Sequence, residues 1–178
     1  MDKVQLEIFM RQLHSGNINA LDNIYTLTSK SIYMLSCAIL KNTEKAKDIM
    51  QETFIRVVAN IDKYKSDNAL AWILTIARNL SYREYANSGR SISLDIFKES
   101  VSDGKSTEEL WTGEIDLNKA MAQLSVEERE VVTLFSIKGY KHREIAQIIG
   151  KPLGTVLWMY NKTIKKLKKM LEYNNKTH

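Results

Sequence analysis

A single proline, Pro152, and only seven glycines punctuate a chain of 178 residues. Sandwiches and barrels need frequent turns, which Gly and Pro supply, so β architectures are disfavoured and an all-α fold is expected. The apolar spacing agrees. Ala46, Ile49, Met50, Phe54, Val57, Val58 and Ile61 recur every three or four residues, which places them on one wide face of a helix. Asn42-Thr43 offers that helix an N-cap. Before it, Ile8, Phe9 and Leu13 mark one helix, and Leu21, Ile24, Tyr25, Ile32, Leu35 and Ile39 a second. After it, Leu70, Ile73, Ile76, Ala77 and Leu80 predict a fourth.

Residues 91–115 break the pattern. Serines, glycines and acids dominate there, with two basic against six acidic residues. This stretch is expected to be an acidic linker, with a short helical turn near residues 108–111, between domains at 1–90 and 116–178. Helices resume beyond it. Ser125-Val126-Glu127-Glu128 spells a capping box. Gly139 suits a left-handed C-cap, the next helix is expected to end at Gly150, and Pro152 fits the start of a final helix running to about Glu172. Residues 138–178 carry ten basic and two acidic side chains, a block suited to a polyanion.

Several function classes lose their usual signatures. Cys37 is the lone cysteine, so no internal disulfide framework exists, and its apolar neighbours predict a buried thiol. His14, His142 and His178 lie far apart, with no HExxH or CxxC pattern, so no metal or cofactor is expected. Phosphate-loop, dinucleotide and nucleophile-elbow motifs are missing, and no catalytic role is expected. No apolar run approaches the ~20 residues of a membrane span. Met1-Asp2-Lys3 does not open a signal peptide, so a cytoplasmic location is expected.

Two helices around Gly150, about 142–149 and 153–172, read as a helix-turn-helix. In that motif the second helix enters the major groove. Lys162, Lys165, Lys166, Lys168 and Lys169 would then lie near phosphates. The stretch from Ala122-Gln123-Leu124-Ser125 through Glu144-Ile145-Ala146 to Gly154-Thr155-Val156 resembles region 4 of bacterial sigma factors. It is similar as well to the DNA-binding domain of LuxR-type regulators. The N-terminal half separates the two readings. Asp48-Ile49-Met50-Gln51-Glu52-Thr53-Phe54-Ile55-Arg56-Val57 and Ala71-Trp72-Ile73-Leu74-Thr75-Ile76-Ala77-Arg78-Asn79 resemble region 2 of sigma factors. With regions 2 and 4 alone, the chain resembles the extracytoplasmic-function (ECF, group IV) type.

The resemblance implies an all-α fold of two small helical domains joined by that flexible linker. The partners it implies are core RNA polymerase (the β′ clamp helices and β flap), promoter DNA and a cognate anti-sigma factor. Asp48, Gln51 and Glu52 would grip polymerase. Lys63, Tyr64, Lys65 and Asn68 would line the pocket for a flipped base of the minus-ten element, with Trp72 in its wall or in the core. Thr75, Arg78, Asn79, Tyr82 and Arg83 would follow the adjoining DNA. The linker would thread the RNA path and mimic RNA there.

For the minus-thirty-five element the implied set is Arg143, Lys151, Gly154, Thr155, Leu157, Trp158, Asn161 and Lys162. That helix departs from the family: Leu157, Trp158, Met159 and Tyr160 replace its usual Lys-Ser-Arg-Leu, and Lys141 replaces the usual Ser N-cap. Thymine-methyl contacts, a protein-binding patch and weak minus-thirty-five readout all remain open explanations. The alternative function is a LuxR-like regulator acting without polymerase.

Overall fold

The computed structural model describes residues 3–65, 68–88, 115–137 and 140–175. The expected linker at 91–115, except for Ile115, which opens a helix, lies outside these residues, as do its helical turn and the cap at Gly139. Eight α-helices are present among them: α1 Lys3–His14, α2 Ala20–Leu40, α3 Thr43–Ala59, α4 Ala69–Asn87, α5 Ile115–Ala122, α6 Val126–Ser136, α7 His142–Ile149 and α8 Leu153–Asn175. One 3-10 turn, Ile61–Lys63, links α3 to α4. No strand occurs among the described residues.

Local chemistry sets the helix ends. Asn42 caps α3 by accepting from the Lys45 amide at 2.9 Å, satisfying one of the orphan donors of the first turn. The predicted capping box forms: Ser125 Oγ accepts from Glu128 N at 3.2 Å, and Glu128 accepts from Ser125 N at 2.9 Å. Gly150 ends α7 at φ 71°, a left-handed conformation that favours a residue without Cβ. Pro152 stands just ahead of α8, its carbonyl accepting from Val156 N at 3.1 Å.

In the N-terminal half, α2 is the central element, packed by α1, α3 and α4. Ile24, Ile32, Leu35 and Ile39 of α2 are fully buried. The buried face of α1 keeps the expected Leu13, with Phe9 half-buried against the core, but not Ile8. It consists of Leu6, Met10 and Leu13, spaced by four and three, whereas Ile8 is 43% exposed. Leu6, Met10 and Leu13 put three large residues on one side of the helix, which buries more area than a face through Ile8. Tyr25 is likewise 45% exposed, its ring against Phe54 at 4.9 Å between centroids. Cys37 is buried as expected, and burial pushes its thiol up to about 12.

The two halves share one core. Val131 and Leu134 of α6, with Ile145, Ile148 and Ile149 of α7, join the same buried cluster as α1–α4. α6 packs on α2, and α7 on α4. A smaller cluster of Ala120, Met121, Leu124 and Leu167 holds α5 to α8. Arg129 is almost fully buried at the junction. It donates to the Ala38 carbonyl at 2.7 Å and also to the Leu124 carbonyl. Ala38 lies in the last turn of α2, where carbonyls lack intrahelical partners, so the guanidinium supplies the missing donor. Lys41 does the same for α5, reaching the Ala122 carbonyl at 2.8 Å.

Candidate nucleic-acid interface

The α3 surface carries Asp48 and Gln51 exposed and Glu52 half-exposed. Glu52 accepts from Arg56 Nε at 2.7 Å. Ile55, 61% exposed, completes the row at spacings of three, four and seven from Asp48. Its signal lay in the sequence: it falls outside the buried set Ala46, Ile49, Phe54 and Val57. An apolar centre beside acids suits a protein partner with a basic rim.

An open cleft of about 310 Å³ lies where the end of α3, the 3-10 turn and α4 meet. Arg56, Asn60, Lys63 and Arg83 line it with Trp72, Ile76, Asn79 and Leu80. Trp72 is a wall residue, held by Tyr64 at 5.2 Å between ring centroids. Asn60 donates to the Arg56 carbonyl and accepts from Lys63 Nζ, both at 2.9 Å. Three cations, two amides and an indole on one cleft can neutralise phosphate, read base edges and stack a base.

Of the four residues expected to line the pocket of a flipped base, Lys63 lines this cleft, and Trp72 forms its wall. Lys65 is exposed outside it. Tyr64 donates its hydroxyl to Glu7 at 2.7 Å. Asn68 caps α4, accepting from Ala71 N at 3.2 Å, and donates to Glu144 at 2.8 Å. On α4, Asn79 and Arg83 face the cleft. Thr75 donates to the Ala71 carbonyl at 2.8 Å. Arg78 and Tyr82 turn instead to Glu130 of α6. The cleft adds Arg56 and Asn60, which sequence reasoning missed. Arg56 reads there as part of a solvated face, and only the fold turns it toward α4.

On the C-terminal pair, Gly154, Thr155 and Asn161 are exposed at the start of α8, and Arg143 is exposed on α7. Lys151 pairs with Glu127 at 2.9 Å. Leu157 is half-buried, while Trp158 is 61% exposed with Lys162 Nζ 4.8 Å above its ring. Met159 does not belong to this surface. It is buried with Val156, Thr163 and Leu167, the residues at three- and four-residue spacing that face the core. Tyr160 is withdrawn too, stacked on Phe135 at 4.0 Å. The apolar start of the helix therefore reduces to Trp158 with the edge of Leu157. Lys141 offers no side-chain acceptor, but Glu144 accepts from its amide at 2.6 Å and supplies half a capping box.

Three carboxyls here depart from ordinary values. Burial would raise Glu144, but the Lys141 amide, Lys3 and Asn68 outweigh it and hold it low. Glu128 is low too, burial being outweighed by Lys166 and the Ser125 amide. Glu130 is raised, because burial outweighs Arg78 and Tyr82. A lowered folded-state value adds stability above the ordinary carboxylate pKa of about 4.3, and that stability is lost as pH falls through the folded value. Glu130 acts in the opposite sense, favouring the folded chain as it protonates. The Tm of Glu144→Gln should therefore lie below wild type at neutral pH and converge on it as pH falls below about 4. Circular-dichroism melts across that range check this, and a constant gap would refute it.

Among the described residues no helix is long and apolar enough to cross a membrane, and no three ligating side chains gather to hold a metal.

Known proteins share this arrangement. The family model for sigma-70 region 2 matches residues 24–91, and that for sigma-70 region 4 matches residues 115–157. The chain is 28% identical over 177 residues to the ECF RNA polymerase sigma factor SigW of Bacillus subtilis, covering 91% of this chain and 94% of that one. It is 27% identical over 150 residues to the ECF RNA polymerase sigma factor EcfG of Rhodopseudomonas palustris, covering 79% of each. Among solved structures it resembles the sigma factor RpoE of Bartonella quintana, crystallised in complex with the anti-sigma factor NepR. The TM-score is 0.69 at 25% identity, over 87% of this chain and 98% of that one. CnrH in complex with the cytosolic domain of CnrY shares the fold, with a TM-score of 0.72 at 20% identity over 97% and 99% of the two chains. With both conserved regions matched in order on one helical framework, the chain belongs to the bacterial RNA polymerase sigma factors of the extracytoplasmic-function type, carrying regions 2 and 4.

Proposed function

We propose that this sigma factor binds core RNA polymerase through the α3 face of Asp48, Gln51, Glu52 and Ile55, and directs initiation at specific promoters. The α3/α4 cleft takes an extruded base of the minus-ten element between Trp72 and the cations Arg56, Lys63 and Arg83. The start of α8, with Trp158 outward and Arg143 and Lys151 beside it, meets the minus-thirty-five element. Capture of an unpaired base offsets the cost of unstacking it, so opening needs no nucleotide hydrolysis by this chain. The observation that carries this reading is the cleft itself, which gathers cations, amides and an indole on region 2. The region 2 match over residues 24–91 speaks against a helix-turn-helix regulator that acts without polymerase.

The solved complex of the sigma factor RpoE with the anti-sigma factor NepR supports an anti-sigma factor as a further partner. A cytoplasmic location follows from the polymerase as partner. The acidic stretch 91–115, with two basic and six acidic residues, fits the basic RNA path of polymerase by charge.

The test is gel filtration with core polymerase, followed by run-off transcription from the chain's own promoter. Co-elution and a promoter-dependent transcript are expected; binding to duplex DNA with no affinity for polymerase would overturn the reading. Trp158→Ala should lower run-off several-fold from a promoter with an intact upstream element. Its stability should change by less than about 0.5 kcal/mol, because the ring is mostly exposed.

A further inference from the structure

Glu7 of α1 ties together the two ends of the segment that joins the 3-10 turn to α4. One carboxylate oxygen accepts from the Tyr64 hydroxyl at 2.7 Å, and the other accepts from the Ala69 amide at 2.6 Å. Neither bond is local, since the partners lie 57 and 62 residues along the chain. Ala69 opens α4 and is 1% exposed. Its amide is one of the donors that a helix start leaves without an intrahelical partner. The N-cap side chain of Asn68 serves the Ala71 amide, and Glu7 serves Ala69 from another helix. A carboxylate at that position also meets the positive end of the helix dipole.

The two anchor points bracket the α3/α4 cleft. Lys63, next to Tyr64, lines one wall with Arg56 and Asn60. Trp72, in the first turn of α4, begins the other wall, which continues through Asn79 to Arg83. Tyr64 completes the frame from behind. Its ring packs on Trp72 at 5.2 Å between centroids, tilted by 54°, while its hydroxyl reaches Glu7. Tyr64 itself is not among the residues that line the cleft. In the chain, residues 64–68 alone separate one wall from the other, so a tie across that segment fixes how far the walls stand apart. A pocket set before the base arrives spares the ordering cost that would otherwise be subtracted from binding.

We propose that Glu7 is a positioning residue for the base pocket: it holds the Lys63 wall and the Trp72 wall at the separation that an extruded minus-ten base requires. The inference rests on the reading of the cleft given above. It brings α1, which precedes the residues matched to region 2, into promoter opening. It also makes Tyr64 a strut behind Trp72 rather than a stacking surface for the base.

The test uses holoenzyme, reconstituted from the full chain and core polymerase. The probe is fork-junction DNA of the chain's own promoter with a single-stranded minus-ten element. An abasic residue is placed at each single-stranded position in turn. In the wild type one position should cost about tenfold in affinity, which marks the extruded base. In Glu7→Ala the same abasic substitution should cost about twofold, because intact DNA binds more weakly while abasic DNA binds as before. Tyr64→Phe keeps the ring and loses one of the two ties, so there the cost should be about fourfold. Adding Tyr64→Phe to Glu7→Ala should change nothing further, since the hydroxyl has already lost its acceptor. A Glu7 that only stabilised the fold would weaken intact and abasic DNA alike and leave the ratio at tenfold. A ratio kept near tenfold in Glu7→Ala overturns the proposal, and so does one kept in Tyr64→Phe should Glu7→Ala fail to fold. A wild type that binds polymerase but shows no base-dependent position removes the cleft reading and this proposal with it. A wild type that does not bind polymerase removes the sigma-factor reading on which both stand.

Discussion

Replacing Asp48 and Glu52 together with alanine is expected to weaken binding to core RNA polymerase by at least tenfold and to leave the fold intact. Asp48 is exposed and Glu52 partly so, and the one ion pair shown for either is Glu52 with Arg56, one turn along the same helix. A surface pair of that kind contributes about 0.3–0.5 kcal/mol to stability. Against a basic partner the same charges are desolvated and paired, and truncating one such group costs about 2 kcal/mol or more. Ile55, one turn beyond Glu52 in the same row, shields those pairs from water once a partner is bound, so Ile55→Ser should add to the loss. Gel-filtration titration and competition against wild type measure it. Equal co-elution of the alanine variant would move the polymerase contact off α3.

Arg129→Ala should be the most destabilising single substitution considered, by about 3 kcal/mol, or about 6–12 °C in Tm for a chain of this size. The side chain is almost fully buried and donates to two carbonyls, one closing α2 and one just past α5. Alanine leaves both acceptors buried without the cation that serves them and opens a void where the stem packs. Because Arg129 spans the two halves, the loss should appear as a lower and broader melt by calorimetry rather than as fraying of one helix. A shift smaller than about 2 °C would mean that the shared core alone holds region 4 to region 2.

These two predictions differ in how far the sequence reveals them. The α3 row is legible directly, since helical spacing alone puts Asp48, Gln51 and Glu52 together, and Ile55 falls out of the apolar phase. The caps at Asn42, Ser125 and Gly150 are equally legible, because each depends on a side chain or a φ value within a few residues. Arg129 is different. Nothing local distinguishes it from any arginine between two glutamates, and its burial comes from the approach of α2, ninety-one residues away in the chain. The same holds for the split of α4. Residues 78, 79, 82 and 83 form one polar stretch in sequence, yet Asn79 and Arg83 line the cleft while Arg78 and Tyr82 grip Glu130.

Periodicity, capping residues and near-absence of proline determined the helices, their order and the apolar face of most of them. Those properties act over one or two turns, so the sequence states them outright. It did not determine which face of α1 is buried, that Met159 and Tyr160 turn inward, or that Arg56 and Asn60 join a cleft with Trp72. Nor did it determine that two acidic residues of region 4 rest in donor sets of region 2. Each of those depends on which helices meet, and that choice is made by area buried across the whole core rather than by any neighbour in the chain.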